Sequence, residues 1–149
     1  VVISGDINAI DAATKSAKSL GARKAVKLQV SGAFHSTFMQ SAAEKMRKEL
    51  EVVDIQPLSI PVIGNYSASE YQNSIEIKDH LFAQKSHKVR WRETIENMYK
   101  NYGCRIFLEI GPGKVLSGLA KKMYNDVAVL TLQNNTDIEN ISGFLDTIT

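Results

Sequence analysis

The sequence predicts an α/β protein with a largely parallel sheet. Three observations carry that expectation. Short apolar runs alternate with stretches of helical periodicity, glycines punctuate the ends of those stretches, and a histidine, His35, stands where an apolar run passes into a helix. Open α/β sheets keep their chemistry at the exits of their strands. His35 is therefore a candidate functional group.

Residues 1–4, Val1-Val2-Ile3-Ser4, read as a buried strand already under way, with no initiator Met. On that pattern the chain is expected to be the C-terminal part of something longer. Asp6 is placed to cap a helix whose apolar positions are Ile7, Ile10, Ala13, Ala17 and Leu20, and Gly21 supplies its stop. Residues 25–30 alternate Val26, Leu28 and Val30 on one face. A strand, a helix and a second strand make a β-α-β unit, and the helical crossover permits parallel strands.

Beyond His35 the positions Phe38, Met39, Ala42, Ala43, Met46 and Leu50 mark a helix beginning at Ser36 or Thr37. Residues 60–65 read as a short strand, with Pro61 confining it to an edge or to the strand's start. Helices are expected over 75–85 and 89–102, separated by Ser86-His87-Lys88, with Gly103 closing the second. A strand over 105–110, a Gly111-Pro112-Gly113 turn, a helix over 114–124 and a strand over 127–132 follow. The Asn134-Asn135-Thr136-Asp137 cluster caps a terminal helix expected to end near Leu145.

Composition narrows the function classes. The 149 residues are 44% hydrophobic and 23% charged, with a formal net charge of +2, too small to argue for a nucleic-acid partner. No run approaches membrane-spanning length, so no membrane partner is expected. Cys104 is the single cysteine, which excludes a disulfide within these residues and a thiolate zinc cluster. A cytoplasmic setting is the simplest expectation. His35, His80, His87 and Cys104 lack short ligand spacing, so no metal site is expected.

Two motifs invite chemistry. Gly111-Pro112-Gly113-Lys114 resembles a phosphate loop only superficially. The four-residue spacer and the following Ser or Thr are missing, and Pro112 removes one N–H. The free N–H groups at that helix start could still attract an anion. Arg90 and Arg92 could clamp a carboxylate, but on an amphipathic helix they read as a solvated face. His35 itself can take a proton from a hydroxyl and return it to a leaving thiol. These residues contain no Gly-x-Ser-x-Gly elbow, so unaided reading gives a base without a nucleophile.

Several motifs occur in one order: Val2-Ile3-Ser4-Gly5, Val30-Ser31-Gly32-Ala33-Phe34-His35-Ser36, Pro61-Val62-Ile63-Gly64-Asn65, Gln84 seven residues before Trp91, Val89-Arg90-Trp91, and Glu109-Ile110-Gly111-Pro112-Gly113-Lys114-Val115-Leu116. In these the chain resembles the C-terminal half of the malonyl-CoA:acyl-carrier-protein transacylases and of the related polyketide synthase acyltransferases. The resemblance implies the C-terminal half of an α/β-hydrolase-like acyltransferase core plus the closing part of a ferredoxin-like subdomain. Residues 1–30 would be that closing β-α-β portion, and 31–149 the C-terminal part of the large core.

The resemblance also implies roles. His35 falls on the catalytic histidine, and Gln84 on the glutamine whose backbone carbonyl holds the imidazole. Phe34 falls on the position that tracks acyl choice, where an aromatic ring accompanies malonyl. Lys121 and Lys122 fall among basic residues that would meet an acidic carrier protein. No bound cofactor or metal is implied. Malonyl-CoA, a coenzyme A thioester, and the phosphopantetheine thiol of an acyl carrier protein would be the substrates, in fatty-acid or polyketide synthesis. The serine, the oxyanion hole and the carboxylate-binding arginine belong to the family's N-terminal half, so the isolated chain is expected to be inactive. The alternative is a non-catalytic docking or scaffolding module with the same fold.

Overall fold

In the computed structural model, which describes residues 1–141 and 143, the chain divides into two compact units, Val1–Thr94 and Ile95–Thr149. The class is α/β, as expected: helices with a small parallel sheet.

In the first unit, α1 (Ile7–Ser19) begins where the Asp6 carboxylate accepts from the amides of Asn8 and Ala9, at 2.9 and 3.1 Å. Gly21, at φ 91°, ends it in the left-handed conformation that a residue without Cβ adopts freely. The two apolar runs flanking α1 are not strands. Residues 1–4 and 25–30 have no ladder partner, and Val2, Ile3, Val26, Leu28 and Val30 are exposed. A strand exists only through its neighbour's N–H and C=O groups, and nothing in this unit supplies them.

A 3₁₀ turn, Thr37–Met39, leads into α2 (Gln40–Val52), and α3 (Ser74–Gln84) packs on it. Ala43 and Ile77 are buried there, and the Arg47 guanidinium lies over the Phe82 ring at 5.0 Å. Asn73 caps α3 by accepting from Glu76 N–H at 2.9 Å. Residues 60–65, expected as a strand, form only an isolated antiparallel bridge, Ile63 with Glu70. The chain turns back at once, with Ala68 N–H donating to Gly64 O and Tyr71 N–H to Val62 O. Pro61 lacks the N–H that an extended ladder would need.

The boundary between units falls inside α4 (Trp91–Lys100). In the second unit β1 (Ile106–Ile110) pairs in parallel with β2 (Ala128–Leu132), from Ile106 opposite Ala128 to Ile110 opposite Leu132. The crossover, α5 (Val115–Met123), packs on both strands. Gly111 and Gly113, at φ 128° and 101°, make the tight exit from β1. The helix α6 (Asn135–Glu139) starts with a capping box in which Asn134 and Asp137 satisfy each other's backbone N–H. Its expected end near Leu145 lies outside the described residues. No described helix is long and apolar enough to cross a membrane.

Candidate active site

His35 sits in a loop tied by two short bonds. The Ser36 hydroxyl donates to Ala33 O at 2.6 Å, and Met39 N–H donates to Ser36 O at 3.0 Å. The backbone of His35 is left-handed, φ 60°, a conformation that costs a residue with Cβ about 1–3 kcal/mol and concentrates at functional sites. The imidazole is exposed rather than packed into the core.

Its partner is a main-chain oxygen. His35 Nδ1 lies 2.8 Å from the carbonyl of Gln84, the last residue of α3. A carbonyl oxygen can only accept, so the proton is on Nδ1. In the neutral ring the lone pair is then on Nε2. The last carbonyls of a helix have no intrahelical donor and carry the negative end of its dipole. They orient the ring, with less than the full charge of an aspartate.

Phe34, beside His35, is 44% exposed, and its ring edge lies 3.8 Å from where a Cβ on Gly32 would stand. Lys121 and Lys122 are exposed in the last turn of α5, in the second unit. A cleft of about 540 Å³ in the first unit, lined by Ile60, Pro61, Tyr71, Asn73 and Ile77 among others, does not include His35. Among the described residues no group of three or more His, Cys, Asp and Glu side chains is placed to hold a metal ion.

Two expectations about charge change. Arg90, its side chain 38% exposed, is not a free charge: its Nη1 donates to Ser67 O at 2.8 Å, its backbone N–H to Asn65 O at 2.8 Å, and its Nε pairs with Glu93 at 3.3 Å. It fastens the 65–67 loop to the start of α4. The N–H groups opening α5 are not waiting for an anion either. Glu109 already occupies them, accepting from Ser117 N–H at 2.8 Å and Leu116 N–H at 3.3 Å. The Ser117 hydroxyl facing it, these amides and the helix start hold the Glu109 carboxyl below its usual range.

His87, which the sequence offers only as an unlikely metal ligand, also stands at this helix end. Its ring Nδ1 lies 2.7 Å from Ala83 O, one residue before the carbonyl that holds His35. The break Ser86-His87-Lys88 after the helical pattern was the available signal.

His35 and the Gln84 carbonyl thus meet at the C-terminus of a helix, with Gly32-Ala33-Phe34 just before the histidine. A malonyl CoA-acyl carrier protein transacylase of Bacillus subtilis is 40% identical over 139 residues, which is 93% of this chain and 44% of that protein. The chain is a relative of the malonyl CoA-acyl carrier protein transacylases, matched over a part of them. The crystal structure of the transacylase of Clostridium perfringens superposes with a TM-score of 0.88 at 35% identity, covering 97% of this chain and 45% of that one. A malonyl-transacylase solved in complex with a type II PKS acyl carrier protein gives 0.85 at 32% identity, covering 91% and 44%. No protein-family model matches the chain. The chain thus spans less than half the length of these transacylases, and the match falls on the C-terminal half of the solved structures.

Proposed function

We propose that this chain carries the histidine half of a malonyl-CoA:acyl-carrier-protein acyltransferase, working in fatty-acid or polyketide synthesis. The observation that supports it most is the 2.8 Å contact between His35 Nδ1 and the Gln84 carbonyl, because it leaves Nε2 as the base. A serine from residues outside these 149 supplies the nucleophile. Nε2 takes the serine Oγ proton as Oγ bonds to the malonyl carbonyl carbon. The C–S bond then breaks and the proton passes to the departing coenzyme A sulfur. In the second half-reaction the phosphopantetheine thiol of the carrier protein gives its proton to Nε2 and attacks the acyl-serine. The acyl C–O bond breaks, and Nε2 returns that proton to the departing serine oxygen.

In this reading Phe34 narrows the acyl pocket towards malonyl, since its ring occupies space that an α-methyl group would need. Lys121 and Lys122 offer positive charge to an acidic carrier protein. Residues 1–30 close a ferredoxin-like subdomain and 31–149 belong to the large core. The unpaired apolar runs and the exposed β1 side chains are where the rest of that fold would pack. Coenzyme A thioester and carrier protein are substrates, no bound cofactor takes part, and the setting is cytoplasmic.

The test is to incubate the full-length enzyme with labelled malonyl-CoA and locate the label. A malonylated serine within a Gly-x-Ser-x-Gly segment, dischargeable by holo carrier protein, is expected. An unlabelled protein, or a coding sequence with no such segment upstream of Val1, would leave a scaffolding role.

A further inference from the structure

Building on that reading, we propose that His87 is a positioning residue for His35, acting through the C-terminal turn of α3. In an uninterrupted helix the carbonyl of Gln84 would accept from the N–H of residue 88. Here the chain leaves the helix one residue early. The N–H groups of Ser86 and His87 both turn back to Ala83 O, at 3.2 and 3.1 Å, and the His87 ring adds a third donor to the same oxygen at 2.7 Å. No main-chain N–H of the described residues reaches Gln84 O, and His35 takes it.

Two successive carbonyls at one helix end therefore each hold an imidazole Nδ1, Ala83 that of His87 and Gln84 that of His35. The first bond sets the second, because concentrating three donors on Ala83 fixes the turn that withholds Lys88 from Gln84. The His87 ring is itself steadied. It meets Tyr66 edge-on at 5.3 Å, its Nδ1 lies 3.2 Å from the Ser86 hydroxyl, and Ser86 is buried. Tyr66 also meets His80, on α3, edge-on at 5.2 Å, so one ring braces both the helix and the turn after it. By the same reasoning as for His35, Nδ1 of His87 carries the proton that Ala83 O accepts.

The experiment uses the full-length enzyme with His87→Ala and His87→Asn. The Asn Nδ2 stands near the place of the ring Nδ1 and can donate to Ala83 O. His87→Ala should lower kcat about tenfold, as small misplacements of a catalytic group do, with KM for malonyl-CoA and thermal stability unchanged. His87→Asn should restore kcat. Nitrogen NMR of the His35 ring should find Nδ1–H in the wild type and in His87→Asn, and a shift towards Nε2–H in His87→Ala. An unchanged kcat in His87→Ala, a loss that Asn does not repair, or an unaltered His35 tautomer would overturn the proposal. The tautomer readout needs no turnover. A full-length wild type without transacylase activity would count against the proposed function while the positioning role still stood or fell on the NMR.

Discussion

At the scale of single residues the proposed site depends on one imidazole with its proton held by a helix-end carbonyl. Because that oxygen belongs to the backbone, Gln84→Ala keeps the acceptor and should change single-turnover acylation far less than any removal of the His35 ring. Phe34→Ser opens the space that its ring fills, and the ratio of kcat/KM for malonyl-CoA over methylmalonyl-CoA should fall by roughly 10- to 200-fold, the worth of one methyl group in an apolar pocket. Gly64 tests packing away from the chemistry. A Cβ there would stand 2.5 Å from the Tyr71 hydroxyl oxygen and 2.6 Å from its ring, and Tyr71 is buried. Gly64→Ala should therefore cost about 1–3 kcal/mol in denaturant unfolding, the usual toll of overpacking. The contact between His35 and the Gln84 carbonyl was legible in the sequence through its motifs. The left-handed backbone of His35 and the extra donor on Ala83 were not, because both arise from a turn whose path no spacing rule specifies.

At the scale of elements the helices were the readable part. Asp6 and Asn134 act through bonds to residues a few positions away, and Gly21 and Gly103 through their own positive φ, so their signals are local. Strands depend on distant partners, which is why 106–110 and 128–132 pair while 1–4 and 25–30, equally apolar, do not. Hydrogen exchange on the 149-residue chain should accordingly find amides 25–29 nearly unprotected and those of β1 and β2 protected. The start of α5 carries a pH signature. The Glu109 pKa is lower in the folded chain than its ordinary 4.5, so the unfolded chain binds more protons between the two values. Its contribution is complete above about pH 4.5 and vanishes as pH falls through the folded value. Glu109→Gln should lower stability at neutral pH and flatten the loss on acidification within that window, measured by denaturant titration across pH.

At the scale of the whole molecule the apolar surface is the dominant fact. Ile106, Leu108 and Ile110 line one face of β1 and are exposed, the last at 77%, whereas parallel sheets are ordinarily covered on both faces. In the first unit the unpaired runs around α1 are exposed as well. Both agree with a chain spanning 44% of its Bacillus subtilis relative, and neither could be seen in a composition that is ordinary for a globular domain. The central claim is that Nε2 of His35 is the base for a serine these residues lack. It is tested most directly by rapid-quench measurement of acyl-serine formation in the full-length enzyme carrying His35→Ala. The account predicts a fall of about a thousandfold, within the range that general acid–base groups contribute. Acylation at the wild-type rate would contradict it.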